Sequence, residues 1–182
     1  MFSSRIRNHM DKSRSATKLI PRLQGLHSDI FMFKFTVCNT TNTLTMKNIR
    51  CIIIDDDPDD RELFEIALEN SGHPFNLLPL SSGSKALEIF TDIEAGDIPD
   101  YIFLDLNMPL LSGKECLQEI RKVSVLHITP VIIYSTSSYH LDIAETKEYG
   151  ATHFLTKTPD IDRLSVILGK LFSKTALPYE LS

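Results

Sequence analysis

At 182 residues, 42% of them hydrophobic, the chain has the length of one ordinary domain with a tail and enough apolar residues to bury a core; its net charge is −5. No run approaches the ~18–20 continuous apolar residues of a membrane span, since the most apolar early stretch, IFMFKFTV, is short and contains Lys34. The three cysteines, Cys38, Cys51 and Cys116, are odd in number and lack metal-site spacing, which argues against a disulfide framework and leads us to expect a cytoplasmic protein with no membrane contact.

Charge is divided unevenly along the chain. Residues 1–45 hold seven Lys/Arg against Asp11 and Asp29, a net +5, and leave −10 to the remainder. A basic arm can bind nucleic acid or a membrane surface, and this Arg/Ser-rich, acid-poor start has features of a transit peptide. We read residues 1–45 instead as a disordered extension ahead of a domain over residues 46–182, with Met46 as an alternative start a few residues before the first strand.

From Arg50 onward, short apolar runs alternate with helical periodicity. CIII (51–54) predicts a buried strand, after which Asp57 and Pro58 read as an N-cap and a proline at the first helical position. The helix carries Leu63, Phe64, Ala67 and Leu68 on one face and ends near Gly72. FNLLPL (75–80) is a second strand, peripheral because Pro79 lacks an N–H, and KALEIFTDI is a second helix broken by Gly96 to Pro99. YIFL (101–104) is a third strand. Ser112 and Glu115 then have the spacing of a capping box, with Cys116, Leu117, Ile120 and Val123 as the apolar stripe of a third helix. VIIY (131–134) is a fourth strand, followed by a helix that stops at Gly150. HFLT (153–156) is a fifth strand, and DIDRLSVILGKLF a last amphipathic helix. Five βα units with strands apolar on both faces call for a parallel sheet covered on both sides.

Functional groups in such sheets gather beyond the carboxyl ends of the strands. Those ends carry Asp55 and Asp56, Asp105, Ser135 and Lys157, on four different strands. Five aspartates fall within the six positions from Asp55 to Asp60. Asp57, Asp59 and Asp60 suit a helix start, where the dipole favours negative charge. Asp55, Asp56 and Asp105 would repel one another without a hard divalent cation between them, and Mg²⁺ suits a site of few carboxylates and several waters. The cation would also bring a phosphoryl donor toward a nucleophilic carboxylate, with Lys157 and Ser135 on other oxygens of the transferred group.

Together, CIIIDDDPDD, YIFLDLNMPLLSGKECLQEIR, VIIYSTSS and GATHFLTKTPD resemble the receiver domain of two-component response regulators over about residues 48–174. The resemblance implies an α/β, flavodoxin-like (βα)5 doubly wound parallel sheet in 2-1-3-4-5 order, as in other flavodoxin-like folds. It implies that Asp105 is the phosphoacceptor, that Asp55, Asp56 and Asp105 hold Mg²⁺ with the backbone carbonyl of Asn107, and that Ser135, Thr136, Phe154 and Lys157 form the phosphate-binding and switch set. It further implies a phosphoprotein that promotes its own phosphorylation and dephosphorylation rather than an enzyme. The phosphoryl donor would be a histidine kinase or histidine phosphotransfer protein.

Two positions depart from the family pattern. Proline usually follows the lysine directly, whereas here the order is Lys157, Thr158, Pro159, which leaves the turn that aims Lys157 unspecified. The switch aromatic is often tyrosine, and Phe154 lacks its hydroxyl. The short tail SKTALPYELS after the last helix leads us to expect no DNA-binding output module, so that output passes by contact with a downstream protein. Two alternatives are a pseudo-receiver that binds without phosphotransfer and a Mg²⁺-dependent phosphatase of the haloacid dehalogenase type. The latter expects an acid two residues after its nucleophile, where this chain has Asn107.

Overall fold

The apolar run that ends at Ile54 forms β1 (Ile49–Ile54), an interior strand of a parallel sheet. The structure, a computed structural model, describes residues 47–181; the basic arm over 1–45 and the start at Met46 lie outside the described residues. Asp57 caps α1 (Pro58–Glu69) by accepting from the Asp59 N–H, and Pro58 opens the helix as expected. Next come β2 (Phe75–Leu80), α2 (Gly83–Thr91), β3 (Tyr101–Leu104) and α3 (Gly113–Lys122), whose Ser112 and Glu115 form the expected reciprocal capping box. The chain continues through β4 (Val131–Ser135), α4 (His140–Glu148), β5 (His153–Thr156) and α5 (Ile161–Phe172).

The sheet order is β2-β1-β3-β4-β5-β6, the 2-1-3-4-5 arrangement with one strand added. The added strand, β6 (Glu180–Leu181), lies in the tail that the sequence pattern leaves without structure, and it pairs parallel to β5. β2 is an edge strand, and Pro79 on it is exposed, as a residue without an N–H requires. α2 begins at Gly83 behind its Ser82 cap, two residues earlier than the apolar pattern indicates, and ends at Thr91, ahead of the Gly96 break.

Strand side chains alternate between two apolar layers, as the two-residue period of a strand dictates. Ile52, Ile54, Ile102, Leu104, Ile133 and Phe154 face the layer under α2 and α3. Cys51, Ile53, Phe103, Ile132, Tyr134 and Leu155 face the layer shared with α1 and α5. Cys51 and Cys116 are both free and buried, where each acts as a small hydrophobe. Burying both faces in this way leaves polar chemistry only at the strand ends. Strand order reverses between β1 and β3, which opens a crevice above their carboxyl ends.

Candidate functional site

Backbone hydrogen bonds fix the residues that follow each strand. Asp55 N–H donates to the Leu80 carbonyl at 3.0 Å and Asp105 N–H to the Ile54 carbonyl at 2.9 Å, so the two aspartates lie side by side where β1 and β3 end. Lys157 N–H donates to the Ser135 carbonyl at 2.9 Å, which ties the residue after β5 to the last residue of β4. Strand pairing alone therefore gathers four of the predicted groups at one edge.

Asp55, Asp56 and Asp105 each offer a carboxylate oxygen within 4.8 Å of the others. Asp55 and Asp105 are buried and Asp56 is exposed, which gives the cluster an open side. Asp55 Oδ1 accepts from the Asp57 N–H at 3.0 Å, and Asp105 Oδ2 from the Asn107 N–H at 3.1 Å. The other oxygens, Asp55 Oδ2 and Asp105 Oδ1, are buried without a well-formed hydrogen bond. Lys157 Nζ lies 2.7 Å from the first, too poorly aligned to satisfy it, and 3.5 Å from the second. Buried carboxylate oxygens left without donors are costly. An all-oxygen set of this kind, with one face open to water, fits a hard divalent cation.

The electrostatics of the cluster agree with that reading. Burial pushes the Asp55 carboxyl up from its ordinary value, and the neighbouring Lys157 ammonium offsets this only in part. For Lys157 the balance is opposite. Burial alone would lower it, but the close carboxylates of Asp55 and Asp60 and the charge of Asp105 hold it above its ordinary value, so the ammonium stays charged. The lysine side chain is only 8% exposed and extends across the Tyr134 ring, 5.5 Å from its centroid. Beneath it, Tyr134 packs on Phe64, which packs on Phe103, and this aromatic floor fixes the ring.

Ser135 is fully buried at the end of β4, while Thr136 and Asn107 are exposed. Asn107 Nδ2 reaches both hydroxyls at 3.4 Å, which links the β3 and β4 loops across the mouth of the site. Phe154 stands apart from this cluster, 1% exposed in the apolar layer beside Ile133. Despite the shifted proline, Lys157 points into the acidic cluster. Among the aspartates of the helix start, Asp57 is the cap and Asp59 and Asp60 lie in the first turn, as expected, but Asp60 also reaches the site. Its Oδ2 accepts from Lys157 Nζ at 2.7 Å. That ion pair spans 97 positions in the chain, and no local pattern signals it.

The fold and site are those of a signalling receiver, and comparison with known proteins agrees. The family model described as response regulator receiver domain matches residues 51–168, and the chain belongs to this family. It is 30% identical over 122 residues to the rice two-component response regulator ORR1, covering 63% of this chain and 53% of that protein. It thus spans about half the length of that relative. It is 29% identical to Protein PilH of Pseudomonas aeruginosa, covering 63% of this chain and 90% of PilH. Among solved structures, the phosphorylated cyanobacterial phytochrome response regulator RcpA superposes with a TM-score of 0.61 at 27% identity, covering 72% of this chain and 98% of RcpA. The Mn²⁺-bound form of the response regulator Rcp1 superposes at 0.60 with 24% identity, covering 71% of this chain and 97% of Rcp1. Membership of the receiver family removes the haloacid dehalogenase alternative. Among the described residues no helix is long and apolar enough to cross a membrane.

Proposed function

We propose that residues 46–182 form a phosphoacceptor receiver domain, phosphorylated on Asp105 with Mg²⁺ by a histidine kinase or histidine phosphotransfer protein. The observation that best supports this reading is the meeting of three carboxylates within 4.8 Å with a buried lysine 3.5 Å from Asp105 Oδ1. The Mn²⁺-bound Rcp1 and phosphorylated RcpA structures support the same metal and phosphoryl chemistry for similar chains.

Asp55, Asp56 and Asp105 would hold the cation, joined by the backbone carbonyl of Asn107. The bound cation would neutralise charge that develops on the phosphoryl oxygens. An oxygen of Asp105 attacks phosphorus as the bond to the donor imidazole nitrogen breaks, and the released imidazole takes up a proton from water. Lys157 holds one equatorial oxygen of the transferred group. Ser135 and Thr136 offer hydroxyl donors to another. The complete set of acids, hydroxyls and lysine favours transfer over a pseudo-receiver that only binds.

Output passes through contact with a downstream protein. Aspartyl phosphate carries close to two negative charges where the carboxylate carried one, and its new acceptor oxygens draw the hydroxyl of the buried Ser135 toward them. Phe154 has no hydroxyl to satisfy, so nothing opposes its burial behind β4, and partner binding depends only modestly on phosphorylation. The test is incubation of the full chain with Mg²⁺ and acetyl phosphate. We expect an acid-stable, hydroxylamine-sensitive phosphoryl adduct that disappears with a chelator. Absence of any adduct in the presence of Mg²⁺ overturns the reading.

A further inference from the structure

Lys157 enters the site without the proline that the family pattern places directly after it; Thr158 follows, and Pro159 comes one position later. Its backbone is fixed by the bond to the Ser135 carbonyl, but that bond leaves four side-chain torsions free. The ammonium is held at its far end by carboxylates. Asp55 Oδ2 and Asp60 Oδ2 both lie 2.7 Å from Nζ, on the side facing α1, with Asp105 Oδ1 at 3.5 Å.

The two close partners differ in what else is asked of them. Asp55 belongs to the group of carboxylates that converge within 4.8 Å to hold a cation, and Asp60 does not. A cation drawn to Asp55 takes much of that carboxylate's charge away from the lysine. Among the described residues, Asp60 is then the one close anionic partner left to Lys157 outside the metal cluster. Its backbone is held in the first turn of α1, behind the Asp57 cap and Pro58. The hydrogen bond from Lys157 to Asp60 is well formed, unlike the contact with Asp55.

We propose that Asp60 is the positioning residue for Lys157, holding the ammonium within reach of a phosphoryl group on Asp105 in place of the prolyl turn. This inference rests on the phosphoacceptor reading above. Asp60 would touch neither the phosphoryl group nor the metal; it would act only through Lys157. Loss of such orientation slows a reaction without removing its nucleophile.

The experiment compares initial rates of phosphorylation by acetyl phosphate with Mg²⁺ for the full chain and for Asp60→Ala, Asp60→Asn, Lys157→Ala and the double variant. Divalent cation affinity is measured in parallel from Mn²⁺ electron paramagnetic resonance. We expect Asp60→Ala to be slower by about tenfold. Asp60→Asn, which keeps an acceptor for the ammonium, should recover to within about threefold of the unaltered chain. In the Lys157→Ala background, Asp60→Ala should change the rate by less than about twofold, since its route of action is already gone. Cation affinity should stay within about twofold throughout the Asp60 variants. An unaltered rate in Asp60→Ala overturns the inference while leaving the phosphoacceptor reading intact. So does an equal slowing with and without Lys157, which would mark Asp60 as a residue of the general field or of α1 stability. If the unaltered chain takes no label, the phosphoacceptor reading itself fails and Asp60 loses its role with it.

Discussion

Gly113 and Asp105 are in direct backbone contact. A β-carbon on Gly113 would stand 2.1 Å from the Asp105 carbonyl oxygen and 2.7 Å from Leu106 Cα, and the Gly113 N–H donates to the Leu106 carbonyl at 3.1 Å. The start of α3 is therefore pressed against the peptide that carries Asp105. Any side chain here must push the two apart, because the obstruction is backbone rather than a flexible side-chain end. We predict that Gly113→Ala lowers stability by about 2–3 kcal/mol and slows phosphorylation of Asp105. Urea denaturation checks the first effect; a change below about 0.5 kcal/mol, the range of ordinary surface substitutions, would show that the α3 start gives way freely.

A second prediction concerns the opposite edge of the sheet. Burial pushes the Asp100 carboxyl up, but hydrogen bonds from the Arg50 N–H at 2.9 Å and the Lys47 ammonium at 3.1 Å outweigh it and hold the group below its usual range. A carboxylate lowered on folding contributes stability above its unfolded pKa, near ~3.9, and that contribution is lost as pH falls through the lower folded value. Asp100→Ala should cost about 1 kcal/mol at neutral pH, a modest figure because the partners are partly exposed. The cost should shrink as pH falls below about 4. Urea unfolding of both chains across that range measures it, and a cost that grows on acidification would refute the assignment.

The tail beyond α5 should matter to the fold. Leu181 is 4% exposed against the α1 and α5 layer, while Tyr179 packs on the opposite layer, so the segment straddles the β5 edge. The Phe154 N–H donates to the Tyr179 carbonyl at 2.7 Å, and the Tyr179 hydroxyl lies 3.1 Å from Thr146 Oγ1 in α4. Removing residues 176–182 should lower stability by about 3 kcal/mol, mostly through lost apolar burial. Tyr179→Phe alone should cost about 1 kcal/mol, the net worth of one hydrogen bond. Thermal unfolding of the two variants decides this; equal stability of the shortened chain would mean that β6 adds nothing.

Much of this arrangement was legible in the sequence because it is locally encoded. The Asp57–Pro58 start of α1, the Ser112–Glu115 box of α3 and Pro79 on an edge strand each follow from the chemistry of neighbouring residues. Asp55, Asp105, Ser135 and Lys157 were legible because each stands at the end of a strand, and a parallel sheet brings such ends together, whereas Asn107, Thr136 and Phe154 entered only through the family resemblance. Two features were not. β6 spans two residues, too short for any alternation to show, and its pairing depends on where α5 returns the chain. The role of Asp60 was hidden because a first-turn acid is fully explained by the helix dipole until the fold brings Lys157 beside it.

The most direct test of the account is where the phosphoryl group lands. After reaction with acetyl phosphate and Mg²⁺, borohydride reduction converts an aspartyl phosphate to homoserine, which peptide mass spectrometry locates. The account predicts homoserine at position 105 in the unaltered chain, and none anywhere in Asp105→Asn, which should fold with equal or greater metal-free stability because a buried carboxylate with an unsatisfied oxygen has been neutralised. Modification at another aspartate, or undiminished labelling of Asp105→Asn, would contradict it.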